Sequence, residues 1–91
     1  MAVRFEWDSR KAAENLRKHG VSFKEAEATF RDPLAATFDD PDHSIAERRF
    51  LTVGYSSASR LLVVSHTEIG DIIRIINARL ASAHERRRHE T

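Results

Sequence analysis

The sequence contains no cysteine among its 91 residues, which excludes disulfide bonds and thiolate sites. The chain therefore needs no oxidising compartment in order to fold. Its first residues lack the apolar stretch of a secretory signal, and no segment reaches the roughly 18 consecutive apolar residues of a membrane-spanning helix. Internal repeats, linkers and low-complexity segments are also missing. We therefore expect one cytoplasmic domain over residues 1–91, with no membrane association.

The second half of the chain has few acidic residues and no lysine. Residues 1–47 hold 7 Lys or Arg against 10 Asp or Glu, whereas residues 48–91 hold 8 against 4, so a chain of net charge +1 has a basic second half. Every Lys or Arg in that second half is arginine, whose planar guanidinium suits phosphate oxygens. This distribution predicts an anionic partner for one face, and an ordinary mixed surface is the alternative interpretation.

Two helices are predicted in the first third of the chain. Asp8 is placed to cap a helix from Ser9 to about His19. A second helix begins at a capping box in which Ser22 bonds forward and Glu25 reaches back. It ends before Asp32-Pro33, because proline disfavours a helical residue ahead of it.

The remaining patterns predict strands and a last helix. Strand patterns occur at Val3–Trp7, Leu34–Asp39, Arg48–Tyr55, Leu61–Val64 and Ile72–Ile76. A capping box at Ser82 starts the terminal helix. The predicted fold is α+β, with two N-terminal helices packed on a three- to four-stranded antiparallel sheet and a C-terminal helix. The candidate core residues are Phe5, Trp7, Leu16, Phe23, Phe30, Leu51, Val53, Val63 and Ile76.

The last two strands are expected to form a hairpin with Ile69-Gly70 as its loop. That loop places Ser65 opposite Arg74 and His66 opposite Ile73. In a regular strand Arg74 and Arg79 point to opposite faces, whereas His66 and Arg79 share one. The two arginines can serve one site only if a bulge or strand end intervenes near residues 77–79.

An acidic loop between the second and third strand patterns has the residue types of metal ligands, namely Asp39, Asp40, Asp42 and His43. Consecutive acidic residues in a loop with proline are usually turn-formers. We expect no metal and no other cofactor.

Short segments in order along the chain resemble the BrnT family of bacterial toxins. They are Phe5-Glu6-Trp7-Asp8, Lys18–Phe23, Glu25-Ala26, Phe38–His43, Glu47-Arg48, Val53-Gly54, Leu61–Val64, Gly70-Asp71, Ile73–Ile76, Ala78-Arg79 and Glu85-Arg86. The resemblance implies a RelE/ParE-like fold, RNA cleavage, and neutralisation by a BrnA-type antitoxin. It also implies that the antitoxin binds DNA, is encoded alongside, and joins in repressing the shared operon. The chain departs from the family at His89, where a tyrosine is usual, and at Asn77, where a serine is usual.

Metal-independent RNA cleavage requires a base, an acid, and cations that stabilise the phosphorane. We predict His66 as a proton carrier, Glu68 or Glu85 as a base, and Arg79, with Arg74 second, as phosphate ligands. Further RNA-binding candidates are Arg48, Arg60, Arg86, Lys11 and Lys18. The last two share a helix face with Asn15 and His19.

Other interpretations of these residues stay open. His66 can be a strand residue hydrogen-bonded to the turn, and Arg74 can pair with Glu6 or Asp8. Residues 86–88 can dock the antitoxin. For the whole chain, the alternatives are a non-enzymatic toxin that inhibits a protein target and an antitoxin-binding co-repressor without nuclease activity. A basic groove favours RNA, and an apolar patch favours a protein.

Overall fold

The computed structural model describes residues 2–44 and 46–91. In chain order the elements are β1 (Arg4–Glu6), α1 (Ser9–His19), α2 (Phe23–Ala28), β2 (Ala36–Asp39), β3 (Phe50–Tyr55), β4 (Leu61–Ile69), β5 (Ile72–Leu80) and α3 (Ala83–Glu90). Single 3₁₀ turns follow α2 and β2. Within the described residues, none of the helices has the length and apolar character needed to cross a bilayer.

The strands form one five-stranded sheet in the order β1-β5-β4-β3-β2. Its three pairs from β2 to β5 are antiparallel, whereas β1 lies parallel to β5, with Arg4 opposite Ile72. The α+β class is therefore confirmed, but the expected antiparallel sheet of three to four strands is wrong in detail. The difference arises because the N-terminal strand joins the edge of the hairpin, where Arg4 N donates to Asp71 O at 2.8 Å.

The hairpin between β4 and β5 turns one residue later than expected. Ile69 pairs with Ile72, so the turn is Gly70-Asp71 rather than Ile69-Gly70. Gly70 has φ 57°, a left-handed conformation that glycine adopts without a steric penalty. As a result Thr67, rather than Ser65, lies opposite Arg74.

The register of the hairpin changes once more within β5. His66 pairs with Ile75, not with Ile73 as expected, and the preceding Ser65 pairs with Asn77. Ile76 therefore has no partner of its own on β4 and forms a β-bulge. A bulge reverses the alternation of side chains beyond it.

Helices α1 and α2 pack on one face of the sheet. The core between them consists of Val21, Phe23, Ala26, Leu62, Val64, Ile75 and Ala78, with Phe5, Trp7, Ala12 and Phe30 packed at its border. Of the expected core residues, Phe23 and Val63 are buried, but Leu16 is 51% exposed. In place of Leu16, helix α1 turns Asn15 toward the sheet, and this is the only residue of α1 that is buried.

Local capping sets the helix ends. Asp8 accepts hydrogen bonds from the Arg10 and Lys11 amides, as expected for an N-cap. Ser22 caps α2 through the Glu25 amide, but the Glu25 carboxylate does not reach back. It binds the guanidinium of Arg60 instead, because a charged donor binds a carboxylate more strongly than a neutral amide does. The expected capping box at Ser82 is confirmed.

Candidate functional site

The bulge at Ile76 brings three polar side chains of β5 to one face of the sheet. Arg74, Asn77 and Arg79 pair with Thr67, Ser65 and Val63, which alternate along β4 and share the face away from α1 and α2. We call this side of the sheet the open face. A bulge near residues 77–79 is the condition under which Arg74 and Arg79 are predicted to share a site. The structure contains a bulge at Ile76, slightly earlier in the strand.

A groove runs between α1 and the edge of β5, and we call it the basic groove. Its lining residues are Lys11, Glu14, Asn15, Lys18, His19, Ile76, Asn77 and Arg79. Lys11 and Lys18 were predicted to bind RNA, and Arg79 was predicted to bind phosphate. The structure therefore places two separately predicted sets of cations, one from a helix and one from a strand, around the same space.

The buried side chain of Asn15 holds the two walls of this groove together. Its Nδ2 donates to Ala78 O at 2.8 Å and to Val21 O at 2.9 Å, while its Oδ1 accepts from Ala78 N at 3.1 Å. Because β1 pairs only with residues 72–74 of β5, the rest of that strand edge is free for α1. The amide of Asn15 satisfies backbone groups that a neighbouring strand would otherwise bind.

The cations of the basic groove differ in how far their charge is compensated. Within residues 2–44 and 46–91, neither Lys11 nor Lys18 forms an ion pair. Arg79 binds Glu85 of α3 through two parallel hydrogen bonds of 2.8 and 2.9 Å. This contact lowers the pKa of Glu85 to about 2 and raises that of Arg79. A carboxylate with so low a pKa is a weak base, and its contact with Arg79 joins α3 to β5.

His66 lies on the other side of the sheet from Arg79. Its side chain is fully buried. The ring centroid of Phe30, packed edge-on, lies at 4.9 Å and that of the stacked Phe50 at 5.8 Å, while Thr52 Oγ1 is hydrogen-bonded to Nε2 at 2.7 Å. The expectation that His66 and Arg79 share a face is therefore wrong, because the bulge reverses the alternation between them.

The surroundings of His66 also decide its charge. Burial lowers its pKa to about 4, so the imidazole is neutral at neutral pH. Its Nδ1 lies 3.4 Å from Glu68 Oε2 without hydrogen-bond geometry. The two side chains are neighbours, but they do not form an ion pair while the histidine is neutral.

The other predicted arginines have carboxylate partners outside the basic groove. Arg74 binds Glu6 at 3.1 Å, which is the alternative interpretation raised from the sequence. The remaining pairs are Arg48 with Asp39 at 2.9 Å, Arg60 with Glu25, and Arg86 with Glu90 at 3.8 Å. Arg48, Arg60 and Arg86 are not among the residues that line the basic groove.

Two residues of the groove with ionisable side chains, His19 and Glu14, were not among the predicted site residues. The sequence places His19 on the same helix face as Lys11 and Lys18, and this spacing was the available indication that it lies beside them. Glu14 gave no signal, because nothing local showed that β5 would lie beside it. Together they add an imidazole and a carboxylate to a set of cations, and these are the group types that acid–base cleavage of a phosphodiester requires.

The acidic loop adopts the turn role expected for it. His43 Nδ1 lies 2.9 Å from Asp40 Oδ2, and the Asp39 carboxylate binds Arg48. In the two described stretches of the chain, no three His, Asp or Glu side chains are grouped so that they could hold a metal ion.

Comparison with known proteins gives a consistent result. The family model described as "Ribonuclease toxin, BrnT, of type II toxin-antitoxin system" matches residues 7–85. Among solved structures, the crystal structure of the ribonuclease toxin BrnT from Brucella abortus superposes with a TM-score of 0.68 at 24% sequence identity. The match covers 89% of this chain and 99% of that one. A search of curated proteins found no match.

Proposed function

The chain belongs to the BrnT family, the ribonuclease toxins of type II toxin–antitoxin systems, and from this premise we propose that it cleaves RNA and so arrests translation and growth. The observation that carries the proposal is the basic groove. It gathers Lys11, Lys18 and Arg79 around one space, beside an imidazole and a carboxylate. An RNA strand is the polyanion that such a groove fits.

The cations of the groove are assigned to the phosphate. Lys11 and Lys18 have no carboxylate partner in the described part of the chain, so both charges are available to RNA oxygens. Arg79 retains an exposed side chain (41%) despite its contact with Glu85. These groups would stabilise the charge that develops on the phosphorane during cleavage. Arg74 lies on the same open face of β5 as Asn77 and Arg79, because the bulge at Ile76 lies between them. It would extend the binding surface along the strand.

His19 is assigned as a proton carrier. It lies in the groove at the end of α1, within the same lining as Lys18 and Glu14. Histidine is the residue that most often moves protons near neutral pH, and a carboxylate such as Glu14 can act as its counterpart. A base, an acid and cations are all supplied by side chains, and we therefore propose a metal-independent reaction.

His66 and Glu68 remain the catalytic candidates that we propose from the sequence. RNA could reach His66 only if its enclosure by Phe30 and Phe50 opened, since the side chain is fully buried. The groove histidine needs no such opening. This difference makes His19 and His66 a direct pair for experimental comparison.

A type II toxin implies a protein antitoxin, and we propose a BrnA-like, DNA-binding protein that forms a hetero-oligomer with this chain. Operator DNA would then be bound through the antitoxin. The alternative function, a non-enzymatic toxin that inhibits a protein target, is favoured by one observation. Leu34 and Phe38 are 74% and 55% exposed at a second, apolar groove on the open face.

The test is incubation of the purified chain with single-stranded RNA in excess EDTA. We expect cleavage to persist, and to fall by roughly 100-fold or more in His19→Ala, the usual size of a lost general acid or base. Lys24→Ala is the matched control, because Lys24 is an exposed lysine of α2 paired with Glu27 outside the groove. Circular dichroism verifies that each variant is folded.

Three results would change the proposal. Loss of cleavage in folded His66→Gln, together with full activity in His19→Ala, would move the site to the β4 histidine. Cleavage that EDTA abolishes would contradict metal independence. A folded chain that arrests growth yet leaves naked RNA intact would have either a ribosome-dependent activity or a protein target, and addition of ribosomes separates these two.

A further inference from the structure

The open face of the sheet carries an apolar groove that α1 and α2 do not cover. Its floor is continuous across three strands, since Ala36 of β2 pairs with Val53 of β3, which pairs with Val63 of β4, and Phe38 pairs with Leu51. Leu34 and Phe38 form its outer border with high exposure. A contiguous apolar surface of this kind, bordered by charged residues, is typical of a binding site.

Helix α3 borders this groove without filling it. Glu85, Arg88 and His89 line the groove, yet none of the residues of α3 is buried. The helix is held to the sheet by polar contacts at its two ends, Glu85 to Arg79 and Glu90 to the Tyr55 hydroxyl. It therefore forms a polar wall beside the apolar floor, which is buried at Val63 of β4 and most exposed at its Leu34 and Phe38 border.

The charge of that wall indicates the chemistry of what binds. Both carboxylates of α3 are already engaged, Glu85 by Arg79 and Glu90 by Tyr55 and Arg86. Arg88, the arginine of α3 that lines the groove, has no ion-pair partner within the described residues. An occupant that is apolar toward the floor and acidic toward α3 would match both surfaces.

The width of the floor indicates a helix. Three neighbouring strands span about 10 Å between the outer two, which is close to the roughly 10–12 Å diameter of a helix with its side chains. An RNA strand would leave the apolar floor largely unmatched, because its phosphates require cations that the floor lacks. A protein helix with apolar residues three and four apart can place them on such a surface.

We propose that the apolar groove is the docking site for an amphipathic helix of the antitoxin, with apolar residues on the sheet and carboxylates facing Arg88. This inference rests on the proposed function, since it assumes that the chain has an antitoxin. It also gives neutralisation a physical basis. Val63 of the groove floor lies directly opposite Arg79 in the sheet, so a docked helix would crowd the side of the basic groove formed by β5.

The first test measures binding of the purified antitoxin encoded beside the toxin, together with RNA cleavage by the toxin alone. Leu34→Ser and Phe38→Ser change exposed residues of the apolar groove, and we expect each to weaken antitoxin binding by roughly tenfold or more. Cleavage by these two variants should stay at the wild-type rate. Ile69→Ser is the matched control, because Ile69 is 73% exposed at the distant hairpin tip, and it should bind the antitoxin normally.

The second test identifies the bound segment. A photo-crosslinking residue at position 38 should label antitoxin residues three and four apart that have carboxylates beside them. Arg88→Glu should weaken antitoxin binding more at low salt than at high salt, because salt screens an electrostatic contact.

The outcomes separate the two proposals. If the wild-type chain binds and is neutralised by the antitoxin but both serine variants bind as tightly as Ile69→Ser, the docking site is wrong and the toxin function stands. If the serine variants lose RNA cleavage and keep antitoxin affinity, the groove holds RNA and the inference is overturned. If the wild-type chain neither cleaves RNA nor binds the antitoxin, the proposed function fails and the docking site fails with it.

Discussion

The imidazole of His66 shows what a buried titratable residue does to a small domain. Phe30 and Phe50 surround it, and Thr52 supplies a hydrogen bond. Burial holds the pKa at about 4, below its ordinary value of 6.5. The unfolded chain therefore binds a proton between these two values that the folded chain does not, so acid favours unfolding in that range.

This residue gives the domain a specific pH dependence. We expect the stabilisation due to a neutral His66 to be complete above pH 6.5 and to be lost progressively as the pH falls from 6.5 to 4. The loss over that range is about 3 kcal/mol at 1.36 kcal/mol per pKa unit. Urea unfolding between pH 4 and 7.5, on the wild type and on His66→Gln, measures the difference.

Glutamine is the informative replacement because it keeps a polar group near Thr52 and does not titrate. The difference in unfolding free energy between the two proteins should shrink as the pH falls, since only the wild type loses the histidine contribution. A difference in unfolding free energy that stays constant across this pH range would show that His66 binds protons equally in the folded and the unfolded state. Glu85 does not alter this comparison, because it is present in both proteins and its pKa of about 2 lies below the measured range.

Among the elements, α3 depends most on single polar contacts. A helix of eight residues is marginal without packing, and within the described chain α3 buries none of its residues. Its first turn is fixed by Glu85, which both completes the capping box with Ser82 and binds Arg79. The position of the helix over the sheet therefore follows from an ion pair rather than from an apolar face.

Glu85→Gln separates these two roles, because glutamine can replace glutamate in a capping box but cannot pair with Arg79. We expect faster amide hydrogen exchange across residues 83–90 and unchanged exchange in β4. The cost in global stability should be about 1 kcal/mol or less, since both partners are partly exposed and solvent screens the pair. Hydrogen exchange followed by mass spectrometry is the measurement.

The matched control for α3 is Glu27→Gln, which breaks the surface pair between Glu27 and Lys24 in α2. It should leave the exchange of α3 as it is in the wild type. Equal protection of α3 in Glu85→Gln and in the wild type would show that the capping box alone holds the helix.

The sequence predicted the elements better than the way they meet. Helix α1 begins and ends where Asp8 and Gly20 predict, because caps depend on residues a few positions away. The bulge at Ile76 could not be read in this way, since it reflects pairing between two strands and the approach of α1 to the free edge of β5. The buried role of Asn15 was hidden for the same reason.

The site was predictable to the same extent. Lys11 and Lys18 are predicted as RNA ligands from their spacing on one helix, and Arg79 as a phosphate ligand from its place among aliphatic residues. Their meeting in one groove required the tertiary structure. The expectation that His66 and Arg79 share a face was wrong, because it assumed regular alternation across a strand that contains a bulge.

At the scale of the whole molecule, the charge pattern of the sequence is not the charge pattern of the surface. Residues 1–47 carry an excess of acidic groups, yet they supply Lys11 and Lys18 to the basic groove. The arginine-rich second half uses Arg60 and Arg74 in ion pairs with the acidic half. Local concentration of uncompensated cations, rather than net charge, is therefore what RNA would encounter.

Salt dependence of RNA binding tests this view of the molecule. Contacts from Lys11, Lys18 and Arg79 to three phosphates predict a slope of about −2 for the logarithm of the binding constant against the logarithm of salt concentration, at roughly −0.7 per contact for single strands. Lys18→Ala should reduce that slope by about 0.7.

The exposed and paired Lys24 serves as control, and Lys24→Ala should keep the wild-type slope. Fluorescence anisotropy with a labelled RNA in a non-cleaving variant supplies the measurement. A weaker Lys18→Ala complex with an unchanged slope would mean that the lysine does not touch phosphate, and equal losses in both variants would mean that RNA senses only the total charge.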